Sequence, residues 1–347
     1  MVVQICCSVD FAYFLKRLRD EYPNEKIVGY FYNPNIHPYA EYMLRYYDTV
    51  RIAKKYGIEV ELGSYDLERW MDCVKGQEME PERGERCQSC FDFRMEETAK
   101  FAVKNSENLI TTTLLMSPKK THAQLEKSLS EICDKYWLNF IAPDYRKGGG
   151  TQAQMKLAKD EKLYHQKFCG CIYGLKAMNK FSLEADLFSP INRQILPNSI
   201  EQRAKFYAQD FKDKSIKKDK FINYRLLKGV VKFNQKAVKS YFLFNSHFDR
   251  NFIKFSIDKE CDEFYADKEC VLLLSFAKFC EISKVKFKSF DEFLATTLSV
   301  SDELEIRAKI FGYYSFSPII IVEKLQKAEV KIEAISKIYS DIREILV

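Results

Sequence analysis

Two kinds of periodicity alternate over the first 180 residues. VVQIC is a short apolar run followed by FAYFLKRLRDEY, whose apolar positions recur at helical spacing. KIVGYFYN is β-branched and aromatic, as strands are, and the turn-forming NPNIHP stops it. YAEYMLRYYDTVRIAKKYG then reads as a long helix ending at Gly57, and IEVELGSYD as a strand. NLITTTLL predicts another strand, THAQLEKSLSEICDKY a helix opened by a threonine cap, and LNFIAPDY a fifth strand. Strands separated by helices imply an α/β fold: a mostly parallel, Rossmann-like sheet sandwich with helices on both faces.

Past about residue 182 the pattern changes. SPINRQILPNS holds two prolines and few apolar residues and reads as a linker, 183–198. Beyond it come a basic stretch, the short strands KSYFLFN, RNFIKFSI and ECVLLLSFAKF, and two final helices. Residues 1–182 are expected to form the α/β domain and 199–347 a smaller α+β C-terminal domain. No run is long and apolar enough to span a membrane, and MVVQICCSVDFAYF lacks the basic start of a signal peptide, so the expected location is the cytoplasm, with no membrane partner.

Charge and cysteine content sharpen the picture. The formal charge is +6. Arg203–Lys239 carries twelve Lys or Arg against three Asp, a local net of +9 that leaves −3 for the remainder. Interleaved aromatics there suit a nucleic-acid-facing surface, with Lys217, Lys218 and Arg225 among the contacts; a solvated helix face is the plainer reading. Eleven cysteines in a reducing compartment are not expected to be disulfides. Cys73, Cys133, Cys261, Cys270 and Cys280 stand singly and read as small buried hydrophobes.

The other six come in pairs: Cys6 with Cys7, Cys87 with Cys90, and Cys169 with Cys171. A lone C-x-x-C is equally a zinc half-site, a redox dithiol or a cluster half-site. In FCGCIYG the glycine lets the backbone pass close to a bulky ligand. Adjacent Cys6 and Cys7 point in different directions and suit two different metals. Six thiols exceed one tetrahedral zinc; they suit a four-iron cluster plus a second metal, to which Asp10 adds an oxygen ligand. In an open α/β sheet, sites form beyond the carboxyl ends of the strands, where Cys6, Cys7, Asp10, Asn33 to His37 and Asp144 to Arg146 converge.

ICCSVD, GYFYNPNIHPYAEYMLR, RCQSCFDFRM, TTTLLMSPKKTH, APDYRKGGG and LYHQKFCGCIYG occur in order over residues 1–174. Together they resemble the QueH type of epoxyqueuosine reductase. The resemblance implies an adenine-nucleotide α-hydrolase-like fold. It also implies a tRNA-modifying oxidoreductase that removes the epoxide oxygen of epoxyqueuosine at the wobble position of a GUN anticodon. It further implies a 4Fe-4S cluster beside a second metal ion, iron, with Cys6, Cys7, Asp10, Cys87, Cys90, Cys169 and Cys171 as ligands. Many members have a third cysteine where this chain has Asp10, Ala-Pro or Gly-Pro where it has Ser8-Val9, and Arg where it has His165. Residues 182–347 match nothing named.

Epoxide reduction consumes two electrons and two protons, so an external electron donor is required. Asp10 would hold a Lewis-acidic ion against the epoxide oxygen, and the proton donors are His37, Tyr32, Asp144 and Tyr164, in falling order of preference. Lys119 and Lys120 in SPKKTH, ahead of a helix, and Arg146 and Lys147 ahead of three glycines, are candidate tRNA-phosphate contacts. Two other readings compete. A tRNA thiolase on the same scaffold would need a glycine-bearing phosphate loop where CCSVDF stands, and a metal-stabilised RNA-binding protein without catalysis would have a closed site.

Overall fold

The structure, a computed structural model, describes residues 1–118, 121–166, 168–178, 196–209, 214–266, 270–296 and 298–347. Two compact units divide the chain: Met1–Lys180 with Arg203–Ile216, and Phe181–Gln202 with Lys217–Val347. Residues 183–195 of the expected linker lie outside the described residues.

In the first unit β1 (Val2–Gln4), β2 (Val28–Phe31), β3 (Glu59–Leu62), β4 (Leu109–Thr112) and β5 (Asn139–Phe140) form a sheet in the order β3-β2-β1-β4-β5. Every pairing is parallel, with Val3 opposite Gly29 on one side and Thr111 on the other. Helices α1 (Ser8–Glu21), α2 (Tyr39–Lys55), α3 (Leu67–Cys73), α4 (Glu85–Lys104), α5 (His122–Tyr136), α6 (Gly150–Asp160) and α7 (Ile172–Met178) complete it. The parallel α/β sheet read from the sequence is therefore present.

Local chemistry explains the elements. β1 is central, and Val2 and Val3 are buried because a parallel sheet is covered on both faces. On α1 the helical stripe Phe11, Phe14, Leu15 and Leu18 is fully buried. Each such side chain stabilises the fold by about 1.5–3 kcal/mol. Thr121 caps α5 as expected, its hydroxyl accepting from the Gln124 amide at 3.3 Å. From β1 the chain winds outward through β2 to β3, then crosses to β4 on the other side. β1 and β4 thus flank the point where strand order reverses, and the loop after β1 opens into the crevice there.

Buried Gln4 braces that edge. Its amide nitrogen donates to the Tyr32 carbonyl and Asn33 Oδ1, each at 3.2 Å, and its oxygen accepts from Thr112 Oγ1 at 2.8 Å.

The second unit is sheet-rich and departs from expectation in two places. The central part of the basic stretch forms an 18-residue strand, β6 (Ile216–Phe233), whereas Arg203 and Lys205 lie on the helix Ile200–Tyr207. The chain ends in strands β12 (Ile319–Val322) and β13 (Ala328–Leu346) rather than in two helices. Helices Phe290–Ala295 and Val300–Ile310 precede those strands. On β13, Val330, Ile332 and Ala334 alternate inward, a period of two that only a strand turns into one buried face. ECVLLLSFAKF breaks at Ser275 into β11 (Val271–Ser275) and a helix, because the Ser275 hydroxyl caps the Lys278 amide.

The remaining strands are β7 (Lys236–Val238), β8 (Ser240–Phe242), β9 (Phe252–Ile257) and β10 (Glu263–Ala266). They build two four-stranded sheets, β10-β11-β12-β8 and β7-β6-β13-β9. Of the five single cysteines, Cys133 is buried, Cys261 and Cys280 are half-buried, and Cys73 and Cys270 are exposed. Cys270 sits in a turn at φ +51°, so its apolar neighbours in sequence did not report its own environment. Among the described residues no helix is long and apolar enough to cross a membrane.

Candidate functional site

All six paired cysteines and Asp10 line one cavity of about 280 Å³ in the first unit. They reach it from three directions: the end of β1, the first two turns of α4, and the loop entering α7.

Cys6 and Cys7 lie where β1 gives way to α1. In an extended strand neighbouring side chains would diverge. Here Cys7 is instead the residue that caps α1, and its Sγ lies 3.8 Å from that of Cys6. The expectation that the two side chains point in different directions is thereby corrected. The two sulfurs and an Asp10 carboxylate oxygen all lie within 4.8 Å of one another. The Cys6 thiol donates to Asp10 Oδ2 at 3.2 Å, and its amide donates to Thr113 Oγ1 at 3.1 Å. Gln154, buried on α6, donates to Asp10 Oδ1 at 2.6 Å.

These contacts set the charge states. The hydrogen bond with Cys7, then burial, then the charges of Cys7 and Asp10 lift the Cys6 thiol well above its ordinary range. Burial raises the Asp10 carboxyl, while Cys6, Gln154, Cys7 and the nearby His165 pull against that rise. Cys6 is therefore held in its protonated form at neutral pH.

The remaining four thiols line the same cavity. Cys87 and Cys90 stand three residues apart on the first two turns of α4, facing the same way. The Arg83 amide donates to Cys87 Sγ at 3.3 Å. Burial raises the Cys90 thiol, with Arg94 opposing, and Cys169 and Cys87 are both near enough to act on it. Burial, then the neighbouring Cys169, pushes the Cys171 thiol up to about 11. Trp70 packs with Cys90 and Cys171 in a small apolar cluster.

A polar stripe on α2 fastens the C-G-C loop. Arg45 is buried, pairs with Glu41 at 2.7 Å, and donates to the carbonyls of Cys169 at 2.8 Å and Phe168 at 3.3 Å. Glu41 also accepts from the Tyr164 hydroxyl at 2.9 Å, and Asp48 from the Tyr164 amide at 2.8 Å. Between the two cysteines Gly170 lies at φ +104°, where an added Cβ would meet Ile36 at 3.1 Å and Arg45 at 3.3 Å. The glycine therefore serves the backbone turn and its packing on Ile36. Gly170→Ala should cost about 1–3 kcal/mol of stability, read as a lower urea midpoint for the metal-free chain.

Arg86 and Arg94 also line the cavity and are buried. Arg94 donates to the Cys90 carbonyl at 3.2 Å and to Asn33 Oδ1 at 3.1 Å. Asn33 in turn donates to the Ile5 carbonyl at 2.8 Å, so Arg94 ties the α4 cysteines to the Cys6–Cys7 turn. Arg86 donates to the carbonyls of Gln77, Glu78 and Glu80, shaping the loop ahead of Cys87. Neither arginine has a carboxylate partner among the described residues. Of the two, Arg94 opposes the rise that burial imposes on the Cys90 thiol.

The four proton donors expected from sequence lie outside the cavity wall. Tyr32 donates to Asp66 at 2.9 Å, and burial raises its hydroxyl. Tyr164 is committed to Glu41. Burial disfavours the Asp144 carboxylate, but Arg146 at 3.2 Å outweighs it and holds the group below its ordinary value; Lys147 lies at 3.5 Å. His37 is half-buried, its imidazole lowered by burial, and its amide donates to the Gly170 carbonyl at 2.9 Å. The histidine on the wall is His165.

Lys119 and Lys120 lie outside the described residues. Arg146 is half-buried and also donates to the Ser117 carbonyl at 3.1 Å, whereas Lys147 is exposed. Lys217 and Lys218 are exposed on β6. Arg225 is 2% exposed and donates to the Pro197 and Tyr224 carbonyls, so its charge faces inward rather than toward a phosphate. Thr113, Gln154, Trp70 and Arg94 escaped the sequence reading. Arg94, one helical turn beyond Cys90, carried a usable signal; Gln154 carried none.

A family model described as "Epoxyqueuosine reductase QueH" matches residues 1–177. A Helicobacter pylori protein named epoxyqueuosine reductase QueH is 35% identical over 93% of this chain and 94% of its own. A Haemophilus influenzae protein of the same name is 43% identical over 45% of this chain and 64% of its own. One from Thermotoga maritima is 33% identical over 50% and 90%.

Proposed function

Because the chain belongs to the epoxyqueuosine reductase QueH family, we propose that it removes the epoxide oxygen of epoxyqueuosine at the wobble position of tRNA with a GUN anticodon. The observation that carries this reading is the meeting of three cysteine pairs, distant in sequence, on one cavity wall together with Asp10.

The donors divide into two sets with different fits. Ligands about 2.3 Å from a tetrahedral ion sit roughly 3.8 Å apart, which matches the Cys6–Cys7 sulfur separation of 3.8 Å. Cys6, Cys7 and Asp10 would therefore hold a single ion, iron, and leave coordination positions open. Cys87, Cys90, Cys169 and Cys171 supply the four thiolates that a 4Fe-4S cluster takes. Buried Arg86 and Arg94 supply the counter-charge. When bound, the cluster would provide electrons singly and the ion would act as a Lewis acid toward the epoxide oxygen.

The chain's own residues do the rest. Gln154 fixes the rotamer of Asp10 through one carboxylate oxygen and leaves the other facing Cys6. Trp70, Leu114 and Phe168 give the wall an apolar lining that excludes water from the reducing site. Tyr32 and Tyr164 have committed their hydroxyl protons to carboxylates. His165, on the wall and close enough to act on Asp10, is thus the better proton source. Conversion of epoxide to alkene takes two electrons and two protons and releases water, so an external one-electron carrier is required. The target base is unpaired in its loop and enters without the cost of opening a duplex. Lys147, Lys217 and Lys218 would contact phosphates, in the cytoplasm where tRNA is modified.

Anaerobic reconstitution with iron and sulfide, followed by assay on tRNA carrying epoxyqueuosine with a chemical reductant, tests the reading. Brown protein that forms queuosine is the expected result. A colourless chain holding one zinc and inactive on that tRNA would overturn it.

A further inference from the structure

The sheet β7-β6-β13-β9 has one face against the core and one free. Register fixes which residues share the free face. Ala328, Val330 and Ile332 of β13 point inward opposite Ile257, Phe255 and Ile253 of β9. The alternate positions, Lys331 opposite Lys254 and Glu333 opposite Phe252, therefore point outward. Lys228 and Lys232 of β6 reach the same face, each 2.9 Å from Glu333, and Lys331 lies 2.7 Å from it. Three ammonium groups thus crowd one carboxylate and hold it well below its ordinary value. Lys254 is exposed beside them, and Glu329 lies at the end of the row. Phe252 is 56% exposed, with the Lys331 ammonium 5.7 Å from its ring centre.

A solvated charge run balances its signs or spreads them. This face gathers three lysines on Glu333 with Lys254 beside them and Glu329 at one end, and sets an exposed ring among them. We propose that it is an RNA-docking surface on which Lys228, Lys232, Lys254 and Lys331 contact phosphates, Phe252 stacks on a base or ribose, and Glu333 holds the ammonium groups in place until phosphate takes them. The proposal rests on the reading above that the substrate is a tRNA, and it gives the second unit a part in holding it. Charge complementarity selects the occupant: a polyanion with regularly spaced charges and flat rings matches lysine rows beside an aromatic.

The test is binding of an unmodified tRNA transcript with a GUN anticodon to the full-length, metal-loaded protein across a salt series. Changing Lys232, Lys254 and Lys331 together to Gln should weaken binding by about 10-fold or more near 100 mM salt and flatten the salt slope by about 2–3. Glu333→Gln should tighten binding several-fold, a change of opposite sign that loss of folding does not produce. Unchanged affinity in the triple variant, or weaker binding by Glu333→Gln, overturns the proposal. So does competition by polyglutamate as effective as that by tRNA at equal charge, which would mark an acidic protein partner. Binding here requires no epoxide and no reductant, so its failure and failure of the reductase assay are separate results.

Discussion

Cys171→Ala should leave the reconstituted protein colourless, with iron in the cluster falling from about four per chain toward zero. The side chain is 8% exposed and sits against Trp70, Val74 and Cys90, apolar neighbours or an existing thiol that supply no replacement ligand. The substitution removes one of four thiolates and little volume, and the fold should survive it. Far-ultraviolet circular dichroism should overlay the parent, while the visible absorbance disappears. Cys171→Ser keeps the volume and offers only an alcohol, and should behave the same way. A Cys171→Ala protein that keeps full colour would take this residue out of the cluster's ligand set.

Asp10→Asn should have the complementary phenotype. Its carboxylate groups with Cys6 and Cys7, and none of the other four paired cysteines belongs to that group. Asparagine still accepts the Gln154 hydrogen bond but no longer carries a charge to hold the single ion. Reductase activity should fall by about 100-fold or more, because mutating even the partners of metal ligands costs about 10–100-fold. The brown absorbance and the sulfide content should stay near the parent's. Bleaching by Asp10→Asn would mean that the seven donors serve one centre, and the proposed division would fail.

The core of this fold was legible because its signals are local. VVQIC, KIVGYFYN and NLITTTLL are short buried strands, and the capping threonine and glycine stop mark real helix ends. The six paired cysteines could be grouped by their clustering in sequence. What sequence could not supply was direction. Cys6 and Cys7 look divergent as neighbours in a strand, yet the turn into α1 brings their sulfurs together. The second unit was misread for a related reason. AEVKIEAISKIYSDIREIL contains strong helix formers, and its alternating Val330, Ile332 and Ala334 were outweighed until β9 and β6 supplied partners. Arg225 looked like any other cation of a basic run, and burial depends on contacts with a segment almost thirty residues away.

Glu41, Arg45 and Asp48 touch no metal donor's sulfur, yet they hold the backbone that delivers Cys169 and Cys171. The loop entering α7 has no strand of its own to lie on; its position is inherited from the α2 stripe. In relatives, therefore, these three residues should change together with the C-G-C segment, as a unit of inheritance, while the apolar face of α2 drifts freely. A survey of related chains that scores only cysteines would miss the residues that hold the C-G-C loop in place.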